Sequence, residues 1–281
     1  MKGRFCMGNF GYCLNTSTIS SAEMSPLEYI DLTAKTGYDG IELWVEDIDR
    51  WVALGGSLTQ LNDFAKESDL EIVNLIAFFE WAVPEKDKQT RGLVEAQRCF
   101  SIAEALDCPF VATAPQGIHN RKVDLYLVAE RFAELNDLVS NFKAQPILEF
   151  WGVSQTLRTI GEILFVAAES GIDNSKILID IFHMYKGAGH LNEISSIPPG
   201  HLGLVHVNDF PSYPSRASIK DEHRVYPGDG ETNWPDFINS LDNNGYDGML
   251  SIELFNPNYW KKNPLTIAEN GLKKLKLCIE N

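Results

Sequence analysis

The fold this chain predicts is a single (β/α)8 barrel, α/β in class, in which eight parallel strands are each followed by a helix. Three features of the sequence predict it. Short β-branched apolar runs alternate with helical patterns along the whole length, with no linker or low-complexity tract between them, and eight βα units in succession close into a barrel. The strand runs of the second half are almost continuously apolar, as strands buried on both faces are. The length of 281 residues suits one domain over 1–281, since α/β barrels run to about 250 residues as a unit. An open doubly wound sheet is the competing architecture. It would carry a glycine-rich phosphate fingerprint after its first strand, which Gly8-Asn9-Phe10-Gly11 does not supply.

Taken in order, the first strand is expected over 4–10. The helix over 26–36 has Ser25 as N-cap, Pro26 at its first position and Gly37 as a left-handed stop. Strands over 40–45, 71–79, 109–115 and 146–152 alternate with helices over 57–68, 88–106, 124–142 and 156–170, the last stopped by Gly171. Strands over 176–184, 202–209 and 248–255 follow, with helices over 191–197, 233–244 and 264–280. The passage Gly37-Tyr38-Asp39-Gly40-Ile41-Glu42-Leu43 is echoed by Gly245-Tyr246-Asp247-Gly248 and then Ile252-Glu253-Leu254. Both read as helix stop, turn and strand start, a device suited to repeated βα units. Residues 209–233 differ: they lack periodicity and hold Pro211, Pro214, Pro227, Gly228 and Gly230. Following a barrel strand, this long loop is expected to wall or cover the active-site face.

Composition narrows the function class. With 24 Lys and Arg against 39 Asp and Glu, the net charge is −15, which argues against a nucleic-acid surface. The cysteines Cys6, Cys13, Cys99, Cys108 and Cys278 are odd in number and without C-x-x-C spacing, as in a reducing compartment. No apolar run has the length of a signal core or a membrane span. A cytoplasmic enzyme is expected, with no nucleic-acid or membrane partner; homo-oligomerisation is left open.

Four apolar runs carry polar intrusions at matching ends: Pro146-Ile147-Leu148-Glu149, Leu178-Ile179-Asp180, Leu204-Val205-His206 and Ser251-Ile252-Glu253. A doubly buried strand holds a carboxylate or imidazole only if that group is paired or binds a metal. Period two puts Ile147, Leu178, Leu204 and Ser251 on the same side as the polar group two residues on. Glu149, Asp180, His206 and Glu253 are therefore expected to hold one divalent ion. This mostly oxygen set suits Mn²⁺, Mg²⁺ or Co²⁺ better than structural zinc. Such an ion polarises a carbonyl and eases loss of the adjacent proton. Glu149 and Glu253 are the expected acid/base pair, moving that proton through a metal-stabilised enediolate. Around them, His183 could hydrogen-bond a substrate hydroxyl or a ligand carboxylate, or merely cap a helix. Glu42 could bind a polyol or orient a ligand. Arg224 could bring its fork to substrate oxygens or staple its own loop. Phe10, Trp44, Phe79, Trp151 and Phe255 lie near strand ends and could wall a sugar pocket, although core packing alone explains any one of them.

Gly40-Ile41-Glu42-Leu43-Trp44, Asp180-Ile181-Phe182-His183, His206-Val207-Asn208-Asp209, Tyr226-Pro227-Gly228-Asp229-Gly230 and Ile252-Glu253-Leu254 together resemble the sugar phosphate isomerase/epimerase superfamily. These are the xylose-isomerase-like TIM barrels that include ketose 3-epimerases, hydroxypyruvate isomerase, inosose dehydratase and endonuclease IV. The resemblance spans the whole chain. It implies that Glu149, Asp180, His206 and Glu253 bind the metal, that the two glutamates move the proton, and that His183 and Arg224 contact substrate. The loop from Asp209 to Arg224 is longer than in the simpler epimerases. The leading expectation is a metal-dependent isomerase or epimerase of a ketose or keto-sugar. The alternatives are a metal-dependent lyase or dehydratase acting on a keto-sugar, keto-inositol or 3-keto-glycoside, and a phosphodiesterase of the endonuclease IV kind. The last is disfavoured by the acidic charge.

Overall fold

The computed structural model describes residues 10–20 and 24–280. Its strands are β1 (Gly11–Asn15), β2 (Gly40–Trp44), β3 (Glu71–Ile76), β4 (Phe110–Thr113), β5 (Gln145–Glu149), β6 (Lys176–Asp180), β7 (Leu202–Val207) and β8 (Met249–Ile252). All pair in parallel and in chain order, and β1 closes the barrel onto β8. The helices are α1 (Pro26–Thr36), α2 (Val45–Ala53), α3 (Leu58–Glu67), α4 (Lys86–Ala105), α5 (Leu125–Val139), α6 (Ile160–Glu169), α7 (Ile181–Gly187), α8 (Trp234–Asn244), α9 (Pro257–Trp260) and α10 (Pro264–Glu280).

Local chemistry sets the helix ends. Ser25 caps α1 in a reciprocal capping box with Glu28. Gly37 and Gly245 stop α1 and α8 at φ +83° and +77°, the left-handed conformation that favours glycine. The echoed passages thus play the same part before β2 and before β8.

The first strand is displaced from its expected place. Residues 4–9 of that expectation lie outside the described residues, as does Cys6, and the strand that pairs with β2 and β8 is Gly11–Asn15. It obeys the same rule as the later strands: an apolar inward residue, Cys13, then a polar one, Asn15. Strand six is also shorter than expected. It ends at Asp180, whose carboxylate accepts from the His183 backbone N–H at 2.8 Å and so caps α7. Ile181, Phe182, His183 and Met184 are all buried, so no polar face betrays the helical period there, and only a short 3-10 helix, Leu191–Ser196, follows in the region expected to be helical. Residues Val45–Ala53, which no expected element covered beyond the strand end, form α2.

Two apolar compartments hold the fold. The larger lies between barrel and helices. The smaller fills the barrel interior with Cys13, Val73, Ile147, Leu178 and Leu204, against which Phe110 and Met249 pack. Asn15, Glu149, Asp180 and His206 stand two residues beyond Cys13, Ile147, Leu178 and Leu204, so four of the five plug side chains are followed on the same side by a polar one. Among the described residues Cys13, Cys99, Cys108 and Cys278 are free thiols, and no helix is long and apolar enough to cross a membrane.

The long loop after β7 is tied down at several points. Asp209 and Val225 exchange two backbone hydrogen bonds of 2.9 Å. The buried Asp209 carboxylate accepts from the N–H groups of Phe210 (2.9 Å), Gly228 (3.0 Å) and Thr232 (3.0 Å), and from Trp234 Nε1 (3.1 Å). Lys186, on α7, donates to the carbonyls of Arg216, Ala217 and Ile219 at 2.9, 3.0 and 2.7 Å. Tyr185 stacks on Phe210 with centroids 3.8 Å apart. Replacing Asp209 by Ala would strand four donors, three of them in the loop and one on the helix after it. The expected outcome is a loss of about 3 kcal/mol or more, read as a lower urea midpoint; an unchanged midpoint would show that other contacts hold the loop.

Candidate metal centre and active site

Strand ends deliver the polar groups to one place. Asp180 ends β6, His206 is the penultimate residue of β7, and Glu253 directly follows β8. One ligating atom from each lies within 4.8 Å of the others, and all three residues are buried. Glu149, at the end of β5, is buried beside this group. Its closest ring nitrogen is His183 Nε2 at 4.0 Å. Among the described residues this is the only cluster of three or more potential ligands that closes so tightly, which gives no support to the three-metal arrangement of an endonuclease IV-like hydrolase.

His206 is the hinge of the geometry. Its Nε2 lies 3.0 and 3.1 Å from the two oxygens of Glu42. Its Nδ1 is buried, 3.2 Å from Glu253 Oε2 and 3.9 Å from Asp180 Oδ2, without the alignment of a hydrogen bond to either. An imidazole held by a carboxylate on one nitrogen, with the other aimed among carboxylates, is the usual disposition of a metal-ligating histidine. Glu42 itself accepts from Asn15 Nδ2 (3.3 Å), Asn74 Nδ2 (2.7 Å) and the Ser251 hydroxyl. It is fully buried behind His206 and does not line the cavity, so of its two expected parts it occupies the place of a ligand orienter.

Arg224 spans the centre from the long loop. Nη1 donates to Asp180 Oδ2 (2.7 Å) and Glu253 Oε2 (2.8 Å), and Nε and Nη2 donate to Asp221 Oδ1 (3.1 and 2.5 Å). Its guanidinium lies over Phe182 and Phe255, 4.7 and 5.1 Å from the ring centroids. Nη2 also approaches His183 Nε2 at 3.4 Å. Because Arg only donates, that contact puts the His183 proton on Nδ1. Asn208 adds a hydrogen bond of 3.1 Å to Asp180.

A cavity of 320 Å³ opens onto these groups, lined by Trp44, Ile76, Phe78, His119, Glu149, Trp151, Val153, His183, Asp221, Arg224, Glu253 and Phe255. Of the sequence-expected residues, Glu149, Glu253, His183, Arg224, Trp44 and Trp151 reach it directly. Asp180, His206 and Glu42 sit beneath. The aromatic wall needs two corrections. Phe10 stacks near Tyr246, before β8 begins, at the far end of the barrel. Phe79 is buried in the outer core while its neighbour Phe78 faces the cavity, because Ile76 and Phe78, two residues apart, share the cavity side and Phe79 falls on the other. His119 and Asp221 lie in loops without periodicity, where the sequence offered no signal. Asn208, two residues after His206 within the strand expected over 202–209, is part of the His206-Val207-Asn208-Asp209 motif but carries no expected role of its own. Gly152 explains how α7 seats beside Trp151: a Cβ there would fall 2.2 Å from the His183 carbonyl oxygen and 2.6 Å from the Gly187 nitrogen.

The residues fit a divalent ion. Carboxylates from Glu42, Glu149, Asp180, Asp221 and Glu253 surround one guanidinium and two imidazoles, and His206 Nδ1 has no hydrogen bond of its own. Burial alone lowers the affinity of His206 for its proton, but the Glu253 and Glu42 charges outweigh it and push its pKa well above normal. Burial pushes Glu149 up to about 8, with the Glu253 and Asp180 charges adding and His206 and Arg224 opposing. Burial also works against the Glu253 carboxylate, yet the His206 and Arg224 charges hold it below the usual range. Burial lowers His183 and keeps it neutral.

A metal must displace the His206 proton to use Nδ1. At pH 7, Mn²⁺ binding is expected to release one proton if His206 alone must ionise, and close to two if Glu149 also becomes a ligand. Affinity should rise with pH through about 8. Titration calorimetry in buffers of different ionisation enthalpy counts these protons, and no release would remove His206 from the ligand set.

Comparison with known proteins agrees with this architecture. Residues 30–278 match the model of the family described as "Xylose isomerase-like TIM barrel". Inosose isomerase of Halalkalibacterium halodurans is 26% identical over 276 residues, covering 94% of this chain and 93% of that protein. The 3-dehydroshikimate dehydratase of Pseudomonas putida is 22% identical over 260 residues, covering 92% of this chain but 40% of its own length. Among solved structures, the IOLI protein with a bound zinc atom superposes with a TM-score of 0.87 at 20% identity, covering 96% of this chain and 98% of that one. Relatives that isomerise and relatives that dehydrate both support an enzyme. The chain belongs to the xylose isomerase-like TIM barrel family.

Proposed function

We propose that this protein is a divalent-metal-dependent isomerase or epimerase of a ketose or related keto-sugar, working by proton transfer at the carbon beside the carbonyl. The observation that carries the reading is that Glu149 and Glu253 face one cavity with their proton affinities pushed in opposite directions. Pairs of titratable groups separated in this way are how one site supplies both a base and an acid. In this reading Glu253, ionised at neutral pH, removes the proton, and Glu149, which burial keeps protonated up to about pH 8, returns one. Both hold the metal, with Asp180 and His206. A bound Mn²⁺, Mg²⁺ or Co²⁺ would polarise the substrate carbonyl.

The remaining residues orient and enclose the substrate. Neutral His183 offers a nitrogen to a substrate hydroxyl, and Arg224, which lines the cavity with its five donors committed to Asp180, Glu253, Asp221 and His183, fixes these side chains in place. Trp44, Phe78, Trp151 and Phe255 form the apolar wall; Trp44 is edge-on to Phe78 and Phe255, and Phe78 to Trp151. Such a wall receives the C–H face of a sugar and excludes water. The long loop, through Asp221 and Arg224, forms the opposite wall.

A second reading, elimination of water beside the ketone, is favoured by the dehydratase relative and uses the same base. Incubating the Mn²⁺-loaded protein with ketoses and keto-inositols in deuterated water separates the two: isomerisation incorporates deuterium and keeps every substituent, whereas elimination loses one. For isomerisation, Glu149→Gln and Glu253→Gln, matched in metal content, should each lose at least about 10²-fold in conversion. If elimination uses a single base, one variant should be inactive and the other mildly impaired. Near-full activity in both metal-replete variants would take the two glutamates out of the mechanism.

A further inference from the structure

His119 stands in the cavity wall with nothing in the proposed proton transfer for it to do. It comes from the loop between β4 and α5, and its backbone is fixed: the His119 carbonyl accepts from Gln155 N at 2.7 Å and from the Ser154 hydroxyl at 3.3 Å. Neighbouring bonds continue the seam, from Gln155 Nε2 to the Asn120 carbonyl and from the Thr156 hydroxyl to the Arg121 carbonyl, at 2.9 and 2.8 Å. The loop is thereby sewn to the segment after β5, and the imidazole packs on Trp151 with centroids 5.7 Å apart.

The ring itself is unsatisfied. Nδ1 is buried without a hydrogen-bond partner, and neither ring nitrogen bonds to any described residue. A buried polar atom left alone costs about 1–3 kcal/mol, and the tilted packing on Trp151, with 58° between the ring planes, needs only a flat ring, which Phe would supply. Of the other side chains lining the cavity, Ile76, Phe78 and Val153 offer no polar group, and the Trp151 indole N–H can only donate. His119 makes no contact with Asp180, His206 or Glu253, so it serves no metal ligand. The ring lines the cavity, with Nδ1 withdrawn from the surface and Nε2 without a partner among the described residues. An unpartnered imidazole in the wall of a ligand cavity is the arrangement by which a site recognises one ligand hydroxyl and rejects analogues lacking it.

Resting on the keto-sugar reading of the cavity, we infer that His119 is a specificity-determining residue that hydrogen-bonds a substrate hydroxyl away from the metal-binding end. The substrate class is thereby narrowed to polyols that carry a hydroxyl on the side of Trp151.

Binding tests this without turnover, so that failure of the isomerase reading, seen as no deuterium exchange, leaves a separate result. Calorimetry of the Mn²⁺-loaded protein with xylitol, myo-inositol and their monodeoxy analogues is compared in wild type, His119→Phe and His119→Gln, each checked for an unchanged melting temperature. Wild type should bind at least one polyol and discriminate against one deoxy analogue by about 5-fold to 100-fold, the range expected when a buried partner is left unpaired. His119→Phe, which keeps the flat ring, should lose that discrimination, and His119→Gln should restore part of it. Equal losses for the polyol and its deoxy analogue, undiminished discrimination in His119→Phe, or no polyol binding by wild type would each overturn the inference.

Discussion

The buried pair of Glu42 and His206 is the interaction on which the site depends. A carboxylate and an imidazole withdrawn from water at the top of a barrel cost several kcal/mol unless each is fully partnered. Glu42 meets that condition with Asn15, Asn74, Ser251 and His206, drawn from strands β1, β3, β8 and β7. The consequence passes outward. With Nε2 engaged, Nδ1 is left to face Asp180 and Glu253, and the orientation of the ring is settled before any ligand arrives. This pre-set geometry is what gives a metal site its affinity.

The apolar plug beneath makes that network possible. Cys13, Val73, Ile147, Leu178 and Leu204 close the barrel interior to water, so the polar layer above lies on a low-dielectric floor. Charges interact strongly there, and the carboxylates diverge in proton affinity because their neighbours differ. Glu253 touches both His206 and Arg224, whereas Glu149 touches neither closely and is dominated by burial. Two carboxylates of the same chemistry acquire opposite shifts in proton affinity from position alone.

The loop after β7 couples this centre to the outside of the barrel. α7 is capped by Asp180, one of the three clustered potential ligands, and carries near its end Tyr185 and Lys186, which grip the loop that returns Asp221 and Arg224 to the cavity. One short helix therefore positions both His183 and the arginine that spans Asp180 and Glu253. Such coupling explains why a loop of irregular sequence is held by a buried carboxylate and a lysine with all three donors engaged.

By itself the sequence determined the barrel, because eight apolar runs spaced by helical patterns admit few other closures. It also determined which strand ends are polar, because period two is strict and a carboxylate after Ile147 or Leu178 has no apolar explanation. Asp180, His206 and Glu253 come together, and Glu149, His183, Arg224, Trp44 and Trp151 face the same cavity. Only the tertiary structure decided the rest. β1 lies at 11–15 because its partners, β2 and β8, set its register from far away in the chain. Residues after Asp180 turn into α7 because a side-chain cap, and not hydrophobic period, ends the strand. Glu42 stands behind His206 and outside the cavity, Phe78 replaces Phe79, and His119 enters from an aperiodic loop. Except for the Asp180 cap and the side taken by Phe78, which are local, the deciding contacts join residues distant in sequence, and local patterns carry no information about such contacts.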